Sequence, residues 1–75
     1  MLVVDVVPLS TVPGRYGDDI TKEQLAGLLR QIMISRRMIL NGTKVRVLYA
    51  DVRPRVYKHR PGEAKCWDLY CRIEI

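Results

Sequence analysis

The stretch Arg53 to Gly62, RPRVYKHRPG, packs four arginines or lysines, a histidine, a tyrosine and two prolines into ten residues. It reads either as a disordered basic arm or as the end of a strand with its turn. Pairing it with the residues that follow separates the two. With Arg60-Pro61-Gly62-Glu63 as a four-residue hairpin loop, His59 faces Ala64 and Val56 faces Trp67. Further along, Pro54 faces Leu69, Val52 faces Cys71, Ala50 faces Ile73 and Leu48 faces Ile75, which makes one continuous apolar side. On the other side Arg55 meets Asp68, Asp51 meets Arg72, Tyr57 meets Cys66, Arg53 meets Tyr70 and Tyr49 meets Glu74. An apolar side and cross-strand opposite charges agree on this pairing, and a one-residue slip destroys both. RPRVYKHRPG is therefore expected to be strand and turn. Pro54, lacking a backbone donor, points to an edge strand or a bulge in the Lys44 to Lys58 segment.

Upstream, Leu2 to Leu9 is valine-rich and reads as a strand ended by Pro8, with apolar residues on both faces; the loop after it is marked by Pro13-Gly14 and Gly17. Thr21 with Gln24 has the form of a capping box, and Ile20 with Leu25 that of a hydrophobic staple. A helix is expected from Lys22 to Leu40, stopped by Asn41-Gly42, with Leu25, Leu28, Leu29, Ile32 and Ile39 on its core face. Arg36 falls among them and is expected to extend its stem toward water. Gly27, Gln31, Ile34 and Met38 form a second, thinner stripe, and Ile34 with Met38 is the expected oligomer contact.

The expected fold is α+β: a two-layer β-α-β-β arrangement, residues 1–75 as a single domain, one helix packed on a three-stranded sheet with a long C-terminal β-hairpin. The element order and chain length are similar to those of dodecins, a likeness of topology alone; no aromatic is placed to stack on a flavin, and no cofactor is expected. Gly14-Arg15-Tyr16-Gly17 resembles the GxxG loop of KH domains. In those a helix precedes the loop, whereas here a strand does, and the segment reads as a strand-to-helix connection.

A 75-residue chain is small for a self-sufficient core, so a homodimer or larger homo-oligomer is expected. No apolar run approaches a membrane span, and MLVVDVVPLS, interrupted by Asp5, does not read as a signal peptide; a cytoplasmic setting is the expectation. His59, Cys66 and Cys71 cannot converge on a metal, because strand residues five apart point to opposite faces. Asp18, Asp19 and Glu23 are explained by the helix dipole, and no nucleophile stands near the single histidine, so neither catalytic residues nor an enzyme activity is expected.

Charge is uneven. Of the net +5, the segment Arg30 to Lys65 carries +8, with ten basic residues against Asp51 and Glu63. One helix cannot cover both sheet faces. The uncovered face displays Tyr49, Tyr57, Tyr70, Arg53, Arg55 and Arg72, extended by Lys58 and Arg60 at the hairpin tip. Tyrosines that stack on bases and arginines that hold phosphates suit single-stranded nucleic acid. The alternatives are a phage- or plasmid-type protein-interaction or inhibitor module that meets an acidic protein surface, and a structural homo-oligomer.

Overall fold

In the computed structural model the protein is a small α+β fold of one helix and four antiparallel strands in a curled sheet. Residues 1–11, 20–55 and 66–75 are described. The elements are β1 (Val3–Ser10), α1 (Lys22–Ser35), β2 (Arg37–Leu40), β3 (Thr43–Arg55) and β4 (Cys66–Glu74), and the strands lie in the order β1-β4-β3-β2. The sheet thus has four strands where three were expected, and the order departs from the strand-helix-strand-strand pattern.

The added strand comes out of the expected helix. α1 begins as its sequence dictates, with the Thr21 hydroxyl accepting from the Gln24 N–H at 3.1 Å and the Gln24 side chain accepting from the Thr21 N–H at 2.8 Å. It ends at Ser35 rather than Leu40, because Arg36 takes the left-handed conformation at φ 58° while its N–H closes the last turn on the Ile32 carbonyl. Beyond it Arg37–Leu40 folds against Thr43–Arg46, with Leu40 paired to Thr43. Only Asn41 and Gly42 connect the two strands, at φ 50° and 78°. Positive φ at both positions is what a two-residue type I′ hairpin turn requires, and Asn-Gly is the dipeptide that best supplies it. Asn41-Gly42 is therefore a hairpin turn, not a helix stop. In consequence Arg36 is a cap residue and Ile39 lies on β2, 67% exposed, so neither belongs to a helical core face.

β3 and β4 form the centre of the sheet. Ala50 pairs with Cys71, Val52 with Leu69, Pro54 with Trp67 and Arg55 with Cys66. This is two residues away from the expected register; Trp67 faces Pro54, and Val56, its expected partner, lies outside the described residues, as does the expected four-residue loop. The register shifts again between Val47 and Tyr49, where Leu48 stands opposite no residue of β4. Such a bulge inverts the alternation, so Val45 and Val47 on one side of it and Ala50 on the other are all buried. Pro54 lies in the part of β3 that has no β2 partner, where its missing N–H interrupts no ladder.

β1 pairs with β4 from Val3 through Ser10, running past Pro8 with a shift of register between Val6 and Leu9. Leu25 and Ile32 of α1 join Val45, Val47, Ala50, Leu69, Cys71 and Ile73 in the core. Wholly buried, Leu25 contributes roughly 1.5–3 kcal/mol through its lost water contact. Between β1 and β2 the helix leaves an apolar groove of about 400 Å³, lined by Leu9, Leu28, Ile32, Met38 and Leu40 among others. No helix among the described residues is long and apolar enough to cross a membrane.

Replacing Gly42 with alanine is expected to cost about 1–2 kcal/mol in urea unfolding, the left-handed penalty of an L residue. An added Cβ there meets nothing within 4 Å, so the loss measures backbone conformation alone.

Candidate functional site

The strand alternation places Tyr49, Asp51, Arg53 and Arg55 of β3 and Asp68, Tyr70 and Arg72 of β4 on the side opposite Ala50, Val52, Leu69 and Cys71. Asp5 of β1 joins them, paired with Arg72 in the ladder. At the centre the rings of Tyr49 and Tyr70 meet edge to face, with centroids 6.0 Å apart at 62°. The Arg53 guanidinium lies over the Tyr70 ring, 3.9 Å from its centroid, a cation–π contact. Tyr49 remains 44% exposed.

Arg53, Arg55 and Arg72 each have a carboxylate. Arg55 donates from Nε and Nη2 to the two oxygens of Asp68 at 2.9 and 2.8 Å, a bidentate pair. Arg72 donates from Nε to Asp5 at 2.9 Å and from Nη2 to the Tyr70 hydroxyl at 3.4 Å. Arg53 lies 3.8 Å from Asp51, whose other oxygen accepts the Val52 N–H at 2.9 Å. The Tyr49 hydroxyl donates to Asp51 at 3.5 Å. The hydrogen bond from Arg72 holds the Asp5 carboxyl below its ordinary value of 3.8, and the same pairing raises the Arg72 guanidinium.

Of the residues singled out from the sequence, Tyr49, Arg53, Arg55, Tyr70 and Arg72 stand together on this face. Tyr57, Lys58 and Arg60 lie outside the described residues. Arg55 meets Asp68 as expected, but diagonally, since Arg53 stands directly opposite. Asp51, expected opposite Arg72, faces Tyr70 instead, and Arg72 finds its carboxylate on β1. Ile34 and Met38 do not form a helical stripe: Ile34 lies in the last turn of α1 at 85% exposure, and Met38 sits on β2, half-buried against the core.

A second group escaped the sequence reading. Arg36, Arg37, Lys44 and Arg46 line a cleft of about 480 Å³ where the end of α1 meets the β2–β3 pair. Lys44 and Arg46 flank buried Val45, and the bulge at Leu48 turns them to the same side as Tyr49 and Arg53. The Lys-Val-Arg-Val alternation was their signal in the sequence; without the bulge it counted them on the covered face.

Cys66 and Cys71 are both buried and neither is in a disulfide; only Cys71 belongs to the core cluster, where burial pushes its thiol pKa up. Among the described residues no three His, Cys, Asp or Glu side chains are grouped to hold a metal ion. No family model, curated protein or solved structure matches the chain.

The Asp5–Arg72 pair has a signed consequence. A carboxyl depressed in the folded state adds stability above its unfolded value near 3.8 and loses it as pH falls through the lower folded value. An NMR titration of the Asp5 carboxyl carbon is expected to show a midpoint below 3.8 that Arg72→Gln returns to the ordinary range; a midpoint unmoved by that substitution would contradict the pairing.

Proposed function

We propose that the protein is a small binding module that holds single-stranded nucleic acid on the outward face of its sheet. The observation that carries this reading is the Tyr49–Tyr70 pair with Arg53 on its flank, standing partly exposed on the side of the sheet away from the core. Aromatic faces and planar guanidinium groups are the surfaces on which unpaired bases stack. The +8 of the segment from Arg30 to Lys65 supplies attraction for a phosphate chain. Arg55 and Arg72, already held by Asp68 and Asp5, orient the platform.

The carboxylate pairs also favour a second reading. A nearly neutral surface of tyrosine and arginine has the composition of a protein interface, which suits an interaction or inhibitor module. Salt separates the two, because phosphate contacts release counterions and weaken steeply as salt rises. A structural homo-oligomer is the third reading, supported by the position of β1 at the end of the order of described strands, with Val3 and Val7 partly exposed. Light scattering at high micromolar concentration is expected to give a dimer mass or more, and a monomer mass would sink that third reading.

Electrophoretic shifts with single-stranded and duplex DNA and RNA at two salt concentrations test the main proposal. Single strands are expected to bind most tightly, with a steep loss at the higher salt. Tyr49→Ala is expected to cost roughly 1–3 kcal/mol on single strands and less on duplex. No shift of any nucleic acid at low salt would reassign the face to a protein partner.

A further inference from the structure

We propose that the cleft formed by Arg36, Arg37, Lys44 and Arg46 grips backbone phosphates of the strand whose bases lie on Tyr49 and Tyr70. For its ligand this rests on the nucleic-acid reading; for its geometry it rests on a separate set of residues. Arg37 and Arg46 stand directly opposite each other in the β2–β3 ladder, with Lys44 paired to the neighbouring Ile39. Like charges in that position repel and destabilise the pairing unless an anion lies between them. Among the described residues none of the four forms an ion pair, and Glu74, opposite Arg46 on β4, makes none with it. This contrasts with Arg53, Arg55 and Arg72, each of which has its carboxylate. Cationic surplus on the described part of the molecule is therefore concentrated in this cleft rather than on the tyrosine face.

The adjacent backbone constrains the ligand. The C-terminus of α1 is the negative end of the helix dipole, which favours the arginines there but gives an anion no help, so the four side chains must supply the whole attraction. Guanidinium groups suit this because they offer paired N–H donors to two phosphate oxygens. Arg46 and Tyr49 lie three residues apart on the same strand, about 10 Å at ~3.3 Å per residue, close enough for one short segment of chain to touch both. Phosphates in the cleft and bases on the tyrosines would divide the work between charge and stacking.

The test is fluorescence anisotropy with a short labelled oligothymidylate over a salt series, for the intact protein, for Arg37→Gln/Arg46→Gln and for the charge-keeping Arg37→Lys/Arg46→Lys. The glutamine pair is expected to flatten the slope of log K against log salt by about 1.4, at ~0.7 for each lost phosphate contact, and the lysine pair to keep most of it. Circular dichroism should show the glutamine pair folded, with a raised Tm because the opposed cations are gone. If that variant fails to fold, Lys44→Gln replaces it, with an expected flattening of about 0.7. An unchanged slope in the folded glutamine variant overturns the cleft while leaving the tyrosine platform standing. Absence of binding by the intact protein overturns the nucleic-acid reading and the cleft with it.

Discussion

Everything outward-facing in this protein depends on how β3 pairs with β4. These two strands make the longest ladder of the sheet, and the bulge at Leu48 divides it into two stretches of opposite alternation. Above the bulge, Ala50 and Val52 turn inward with Leu69 and Cys71; below it, Val45 and Val47 do so with Ile73. Had the alternation run straight through, the two valines would face away from the helix and Lys44 and Arg46 toward it. Burying two cations in an apolar core without partners costs far more than a bulge. The irregularity thus lets one strand carry a single apolar face and gathers its tyrosine, arginines and lysine on the other.

A 14-residue helix brings two buried residues, Leu25 and Ile32, onto that apolar face. Its early stop matters as much as its start. By giving up Arg37–Leu40 to β2, the chain gains a hairpin closed by Asn41-Gly42 and places Arg37 opposite Arg46. Met38 and Leu40 still reach the core from the strand. The arrangement sets an aromatic region whose arginines are neutralised by carboxylates beside a basic region whose cations are not. For a phosphate chain the second would attract and the first would orient.

Much of this was legible from residues alone. Thr21 and Gln24 define where the helix begins, and the alternation from Tyr49 to Arg55 assigns Tyr49, Arg53 and Tyr70 to a shared face. The register was not, and the reason is general: a shift of two residues keeps every side chain on its own face, so an alternating pattern excludes a one-residue slip but not this one. Arg55 is long enough to reach Asp68 from either the opposite or the diagonal position, so their charges do not discriminate either. Asn41-Gly42 carries two meanings, helix stop and type I′ turn, and the choice depends on whether Thr43–Arg46 can return along Arg37–Leu40. That return is a tertiary matter. The Leu48 bulge is marked only by the change of phase from Val45 and Val47 to Ala50 and Val52, since leucine itself fits either side.

Cross-strand nuclear Overhauser contacts test the β3–β4 register, and with it the sorting of side chains into faces, most directly. Backbone contacts of Val52 with Leu69 and of Ala50 with Cys71 are expected, with the ladder resuming at Val47 beside Ile73 and no β4 residue opposite Leu48. Contacts of Val52 with Cys71 and Ala50 with Ile73, continuing without interruption through Leu48, would contradict it and would return Lys44 and Arg46 to the other side of the sheet.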